Sequence, residues 1–467
     1  MENKKRISRE CIPEILFVLL VFGFYFMWAR IQPLNAAPDE GMRYLVPQYI
    51  YNHGRLPAGD DPEIMNKIWG NSYGFNPILS FILSAGLMKL VSFVSAKPFA
   101  LLLAARMVSV LFGTGTAFLA LQIGKKLFDK PRAWLLAFFV AFLPEMAFIS
   151  SYVNCDAMAV FSTGMILYFW ICGMEDEWSV KSCIGLALGV SLCTHSYYNA
   201  YGFILCSVFF FGITLLLTVS RKKDWKLFLR KGLLVTVIVL FLIGWWFIRN
   251  QVLYGDFTGR KAIALCTETH AMKGFRPSER ETPVRIGLGF WEMLTKGYPG
   301  TGASWLDMTI RTFVGRFGFV SVLMQPWMED VFLWFIGIGY ALSWLHPGKV
   351  FRIREKNVWS RRGILNWCLL LSMIIPVLLS MYYSYTSDYQ PQGRYCIPML
   401  LPLAYFMMIG YGNLLDLFKE HSGIRCVVCY GACILLAGLS IYVYFTIFWP
   451  AYRNTPFSIG AFLGGGI

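Results

Sequence analysis

The residues best suited to chemistry form a polar segment directly behind an apolar run: Ala37-Pro38-Asp39-Glu40-Gly41-Met42-Arg43-Tyr44. A carboxylate at such a boundary, partly desolvated beneath loops, is placed to act as a general base toward a hydroxyl. Neighbouring residues of a helix or turn point in different directions. One of Asp39 and Glu40 therefore takes the proton, while the other orients substrate, binds a cation or caps the helix. The plain structural alternative assigns Asp39 to helix capping and Glu40 to the helix dipole. Asp60, Asp61 and Glu63 follow in a Gly/Pro-rich stretch; a solvated turn is the default there, with divalent-ion binding as the competing role.

Candidate cations lie far along the chain. Arg249 ends an apolar run in Trp245-Trp246-Phe247-Ile248-Arg249-Asn250, and Arg394 begins one in Gln390-Pro391-Gln392-Gly393-Arg394-Tyr395. Guanidinium forks suit phosphate oxygens, although interfacial arginines also snorkel without any ligand. Gly393 permits close backbone approach, and Gln392 and Tyr395 add polar groups beside Arg394. Asn154 and Asp156 share a short turn and carry groups suited to a sugar, with helix capping as the equal alternative for Asn154. His53 and His195 are weaker candidates of the same kind, because a lone boundary histidine is usually structural. Cys426 and Cys429 form a CxxC with no second pair or nearby histidine, so no metal centre and no cofactor are expected.

The elements that must position these groups are membrane helices. Of 467 residues, 57% are hydrophobic and 15% charged, and the mean hydropathy is +0.53, which excludes an ordinary soluble enzyme. Apolar runs approaching the roughly 20 residues of a span fall at 13–31, 100–124, 133–150, 156–173, 183–199, 200–219, 232–248, 330–346, 364–382, 395–416 and 426–449. The first contains Trp28 and lacks a small-residue cleavage site, so it is expected to remain as an anchor.

Clusters at Lys4, Lys5, Arg6 and Arg9, at Lys125 to Arg132, at Arg221 to Lys231, and at Lys349 to Arg362, Lys356 included, mark cytoplasmic loops. Their spread among short loops explains the net charge of +15 without nucleic acid. The run from Pro77 to Val94 would break this parity if it crossed. It is read as a juxtamembrane or re-entrant helix, as is an amphipathic helix carrying Met42, Leu45, Val46, Tyr49 and Ile50 that lies on the bilayer and ends at Gly54. The chain, 1–467, is then one transmembrane domain with its N-terminus inside and C-terminus outside. Two long outer loops, 32–97 and 249–330, are the functional ones. Arg106, Glu145, Asp156 and His195, costly in lipid, all fall toward the outer helix ends. The absence of Asn-x-Ser/Thr sequons favours a bacterial plasma membrane.

Pro38-Asp39-Glu40, Ala105-Arg106-Met107-Val108-Ser109-Val110, Asn154-Cys155-Asp156, Arg249-Asn250 with Tyr254-Gly255-Asp256, Arg316-Phe317-Gly318, and Gln392-Gly393-Arg394-Tyr395 occur in an order that spans nearly the whole chain. In this the chain resembles the GT-C integral-membrane glycosyltransferases, including protein O-mannosyltransferases and bacterial lipid A aminoarabinose transferases. The resemblance implies an all-α helical bundle, inverting transfer from a polyprenyl-phosphate-linked sugar, Asp39 as base, and a glycan, lipid or protein acceptor among the membrane lipids. Such a donor suits an outer site, where nucleotide sugars are absent; its phosphate leaves as an anion and asks for fixed cations rather than a general acid. Related sequences often place a histidine shortly after the acidic pair. Met42 and Arg43 stand there, and the first histidine is His53, which leaves acceptor binding and metal dependence open. A transporter or flippase of lipid-linked sugars is the alternative, and a noncatalytic partner in envelope assembly the third.

Overall fold

The computed structural model describes residues 2–355, 358–418 and 422–455. Lys356, the side chains of Lys4, Lys5, Arg6 and Arg9, and the chain end beyond Thr455 lie outside the described residues. Helix α1 (Glu2–Ile31) leads to α2 (Glu40–His53), α3 (Leu79–Ser92), α4 (Pro98–Leu127), α5 (Lys130–Phe142), α6 (Pro144–Ile149), α7 (Asp156–Glu175), α8 (Val180–Thr194), α9 (Gly202–Lys222) and α10 (Trp225–Tyr254). The second long loop carries α11 (Arg260–His270), α12 (Phe290–Thr295) and α13 (Trp305–Gly315). Then come α14 (Pro326–Ser343), α15 (Pro347–Val350), α16 (Arg361–Thr386), α17 (Leu400–Leu415), α18 (Ser422–Val443) and α19 (Trp449–Tyr452). Among the described residues, sheet is confined to two short antiparallel pairs, Arg316–Phe317 with Val322–Leu323 and Arg354–Glu355 with Val358–Trp359.

Every apolar run falls on a helix, and 8 of the described helices are long and apolar enough to cross a membrane. The other three runs form shorter helices for local reasons. Pro144 breaks the 133–150 run into α5 and α6. Helix α8 stops at Thr194, and α14 opens on Pro326 with Glu329 and Asp330 in its first turns. The apolar stretch of α10 buries nothing inside the protein, as suits a helix facing lipid.

The predicted helix after the acidic pair is α2, closed by Gly54 in the left-handed conformation at φ 66°. It does not lie free on a surface, as the sequence suggested. Met42, Arg43, Tyr44, Val46, Pro47 and Tyr49 are all buried, and Val46 packs in one core with Phe81 of α3 and Ala105 of α4. At 14 residues α3 is too short to span. Its Ser84 Oγ donates to the Ala105 carbonyl at 3.0 Å, fastening it to α4.

Charge separates toward the two ends of the bundle. At one end Lys125 pairs with Glu14 at 2.6 Å, Lys126 with Glu175 at 2.5 Å, and Lys222 with Glu177 at 2.5 Å. Arg425 reaches Asp129 at 2.7 Å, and Arg361 donates to the Met174 carbonyl at 2.8 Å. Arg106 stands near the other end of α4, about 29 Å from Lys125 at roughly 1.5 Å rise per residue, and Asp156 stands about as far from Glu175 on α7. That distance is close to the thickness of a bilayer's hydrocarbon core, about 30 Å.

At the Arg106 end, one guanidinium organises the turn between α1 and α2. Arg106 donates through Nε to Glu40 Oε1 and through Nη2 to Glu40 Oε2, each at 2.7 Å. It also donates to the carbonyls of Ala29, Gln32 and Pro33 at 2.8, 2.7 and 3.1 Å. Removing one partner of a buried pair strands the other charge, at a cost of about 3–5 kcal/mol. Arg106→Gln is accordingly expected to lose stability of that order in denaturant unfolding of the detergent-solubilised protein. Lys125→Gln, which breaks a half-exposed pair, should cost no more than about 1 kcal/mol.

Candidate functional site

Asp39 occupies the position before α2 with φ 61° and makes no side-chain capping bond. A non-glycine residue in the left-handed region costs about 1–2 kcal/mol, and here the carboxylate, which caps no backbone N–H of α2, faces two arginines instead. Asp39 Oδ2 lies 3.2 Å from Arg394 Nη2 and 3.8 Å from Arg43 Nη2. The Asp39 side chain remains 31% exposed, whereas those of Arg43 and Arg394 are 1% and 6% exposed. Burial pushes the Asp39 carboxyl up, but the charges of Arg43 and Arg394 and hydrogen bonds from Arg394 and Tyr73 outweigh this and hold it below its ordinary value.

Arg394 owes its place to Gly393. A Cβ at Gly393 would meet the Phe313 backbone nitrogen at 2.1 Å, and the Gly393 N–H donates to Thr312 Oγ1 at 2.7 Å. The short turn is thereby pressed onto α13. Arg394 Nη2 also donates to the Tyr395 hydroxyl at 3.0 Å, and that hydroxyl donates to Gln390 Oε1. The Gln390 amide donates to Asp388 at 2.6 Å, and Arg280 of the second long loop stands 3.7 Å from Asp388. Arg280 lies 5.0 Å from the centre of the Trp69 ring in the first long loop. Burial raises the Asp388 carboxyl above its ordinary value despite Arg280 and Gln390. Both long loops and the 388–395 segment thus meet at one edge of the site.

Asp156, at the start of α7, joins the same network through Arg43, whose Nη1 donates to it at 3.1 Å. Arg43 also lies 5.0 Å from the centre of the Tyr73 ring. Glu145 and Tyr152 are buried and coupled electrostatically to Arg394 and Asp156. Glu145 Oε2, the Tyr152 hydroxyl, Arg43 Nε, and Arg394 Nε and Nη1 have no hydrogen-bond partner among the described residues. Buried guanidinium N–H groups left open are costly unless an anion or water fills them.

The structure sorts the sequence candidates sharply. Asp39, Asp156, Arg394 and Tyr395 come together. Glu40 is fully buried and spent on Arg106 and on the backbone N–H groups of Asn35 and Val153 at 3.3 and 3.1 Å; it positions the turn and offers no face to a substrate. Gln392 makes no side-chain hydrogen bond among the described residues, and Gln390 supports Tyr395 in its stead.

Arg249 makes no hydrogen bond or ion pair with Asp39 or Arg394 among the described residues. It donates to the Pro57 carbonyl, stacks 5.0 Å from the Trp246 ring centre, and lines a separate groove of about 670 Å³ with Tyr49, Arg55 and Trp245. Asn154 gives its amide to the Ile149 and Tyr152 carbonyls at 2.6 and 2.8 Å and accepts from Ala157 N at 3.0 Å, which is the capping role. His53 pairs with Glu63 at 2.9 Å on the surface. His195 bonds the Leu242 carbonyl at 3.1 Å and stacks with Trp245, locked between α8 and α10. Two residues that the sequence did not single out for the site, Arg43 and Tyr73, belong to it. For Arg43 a signal existed, since it stands four residues after Asp39 on the same helical face; for Tyr73 there was none.

This is the fold of the GT-C membrane glycosyltransferases: a polytopic helical bundle whose polar centre lies just behind the first helix and between two long loops. The chain superimposes on the oligosaccharyltransferase AglB of Archaeoglobus fulgidus, solved with an inhibitory peptide and a dolichol-phosphate, with a TM-score of 0.55 at 10% identity over 97% of this chain and 57% of that one. An Archaeoglobus fulgidus oligosaccharyltransferase in complex with Zn and sulfate gives 0.52 at 12% identity, over 94% of this chain and 53% of that one. ArnT of Cupriavidus metallidurans, bound to undecaprenyl phosphate, gives 0.49 at 14% identity, over 94% and 73%. The chain spans little more than half the length of these oligosaccharyltransferases. No family model matches its sequence, and no curated protein does.

Open, buried guanidinium groups predict anion binding without any turnover. Inorganic phosphate at millimolar concentration should raise the melting temperature of the wild-type protein by a few degrees, as mass action requires for a ligand of the folded state alone. Arg394→Gln should abolish that rise.

Proposed function

We propose that this protein is a glycosyltransferase that moves a sugar from a polyprenyl-phosphate-linked donor to an acceptor hydroxyl, with inversion, at the outer face of a bacterial plasma membrane. The observation that carries this is a partly exposed, ionised Asp39 within salt-bridge reach of two buried arginines whose N–H groups are not all used. The dolichol-phosphate in the AglB complex supports a polyprenyl-phosphate donor on this fold. Placement outside is supported by the basic residues Lys125, Lys126 and Lys222, which stand at the end opposite the site, since basic short loops stay in the cytoplasm.

In the reaction the acceptor oxygen attacks the anomeric carbon as Asp39 takes its proton. The bond from that carbon to the phosphate oxygen breaks, and the electron pair leaves with polyprenyl phosphate. Arg394 has the free Nε and Nη1 to receive that anion. A flippase would place ionisable groups near mid-membrane, whereas Asp39, Arg43, Asp156 and Arg394 cluster at one end of the bundle. Arg249 and its groove border the first loop, where they can hold other parts of a lipid, apart from Asp39 and Arg394. The zinc of the oligosaccharyltransferase complex raises metal use. A cation serving this centre would draw on Asp39 and Asp156, which the Arg43 guanidinium already spans, so the residues present do not fit one and no step passes through a metal.

Asp39→Asn should lower transfer by about 10²–10⁴-fold, the usual contribution of a positioned base, while circular dichroism shows the helical fold retained; full activity in that variant refutes the assignment. The pH profile gives a second check. A carboxyl depressed by nearby cations stays ionised to lower pH, so the wild-type rate should persist in mild acid and fall only below the ordinary aspartate range. Arg394→Gln removes one depressing charge, and the acid limb should move to higher pH whatever the height of the plateau. A limb that stays put or moves down rules Asp39 out as the titrating base.

A further inference from the structure

We propose that Arg43 holds the place of a metal ion, a built-in organic cation that fixes Asp39 and Asp156 and excludes divalent metals from this centre. The inference rests on the assignment of Asp39 as the base and adds how that base is held. Asp39 closes the turn before α2 and Asp156 opens α7, more than 100 residues later. The link between them is one side chain: Arg43 Nη1 stands 3.1 Å from Asp156 Oδ2, and Nη2 stands 3.8 Å from Asp39 Oδ2. Two carboxylates from distant elements that converge on one charge are what a hard cation draws on, yet no group of three ligating side chains surrounds such an ion among the described residues.

A divalent ion would need several oxygens at about 2.0–2.6 Å, and the guanidinium, itself 1% exposed, occupies the space where they would converge. Arg394 adds a second fixed positive charge at 3.2 Å from Asp39, so a divalent ion entering here would meet two cations. Tyr73 stacks on the Arg43 guanidinium at 5.0 Å, which holds its plane between the two aspartates. A guanidinium orients carboxylates through directed N–H groups, as a metal does through coordination, but it cannot be chelated, exchanged or lost.

The test uses the full-length protein in phosphatidylcholine nanodiscs, titrated with Mn²⁺ while the free ion is followed by electron paramagnetic resonance. Wild-type protein should take up no Mn²⁺ that depends on Asp156. Arg43→Gln opens the space between the carboxylates and should gain one Mn²⁺ per chain, at least about tenfold tighter than wild type; the double variant Arg43→Gln, Asp156→Asn should lose that gain. Stoichiometric Mn²⁺ on the wild type that Asp156→Asn removes overturns the proposal, and so does a folded Arg43→Gln protein that binds no more than wild type. If Arg43→Gln does not fold, the wild-type titration decides alone. Transfer by EDTA-treated wild type should match the untreated rate, and loss of transfer that Mn²⁺ restores overturns the proposal as well. Absence of any sugar transfer refutes the assigned reaction instead, and the Mn²⁺ titration still decides the role of Arg43.

Discussion

Everything at the site depends on Arg106. Its five hydrogen bonds tie the last turn of α1, the Gln32-Pro33 corner and the Glu40 carboxylate to one point on α4. Without that anchor nothing obliges Asp39 to stay in the left-handed conformation, whose cost of about 1–2 kcal/mol must be met by surrounding structure. The two adjacent carboxylates therefore divide labour by burial. Glu40, fully enclosed, is satisfied by Arg106 and two backbone N–H groups and sets the geometry. Asp39, one residue earlier, meets Arg43 and Arg394 instead and keeps part of its surface exposed.

A second constraint reaches the site from the other end of the chain. From Arg280 through Asp388, Gln390, Tyr395 and Arg394, polar contacts pass in series from the second long loop to the Asp39 carboxylate. Arg280 also stacks on Trp69 of the first loop. The loops are thus joined to the centre by directed contacts at their edge, and these contacts constrain the orientation of Arg394. Low local dielectric strengthens each bond in such a series and raises the cost of leaving any member unpaired.

Much of this was legible in the sequence, for physical reasons that also mark its limits. Apolar runs locate the helices because lipid tolerates little else, and the basic clusters locate one end of the bundle because they mark loops of one kind. Arg394 stood out because Gly393 before it signals a close backbone approach, which the contact with Phe313 explains. Asp39 and Glu40 were visible as a pair, but their division of labour depends on Arg106, 66 residues from Glu40, and spacing along a chain carries no trace of such a partner. Arg249 lacks a glycine like the one before Arg394 but is likewise an arginine at the end of an apolar run. It parts from Arg394 because Pro57 and Trp246 claim it. His195 and Asn154 show a similar effect: a polar side chain near the site in sequence is often spent on a carbonyl or a cap.

The pairing of Asp39 with Arg394 also explains how a weak base can serve the proposed transfer. A depressed carboxyl gives up little driving force for proton removal while both arginines face it. In the displacement, however, the negative charge does not disappear; it moves from Asp39, neutralised by the acceptor proton, to the departing phosphate. Arg394 lies against Asp39 by one nitrogen and has two others free, so it can follow that charge without first being desolvated or reoriented through water. The ion pair of the resting site becomes the ion pair of the product, and the cation that weakens the base at the start stabilises the leaving group at the end. Arg43, bound also to Asp156, stays behind and keeps the neutral carboxyl in place. A centre with two arginines of unequal freedom can therefore hold a base ionised in advance and still release its electrostatic stabilisation where the transition state needs it.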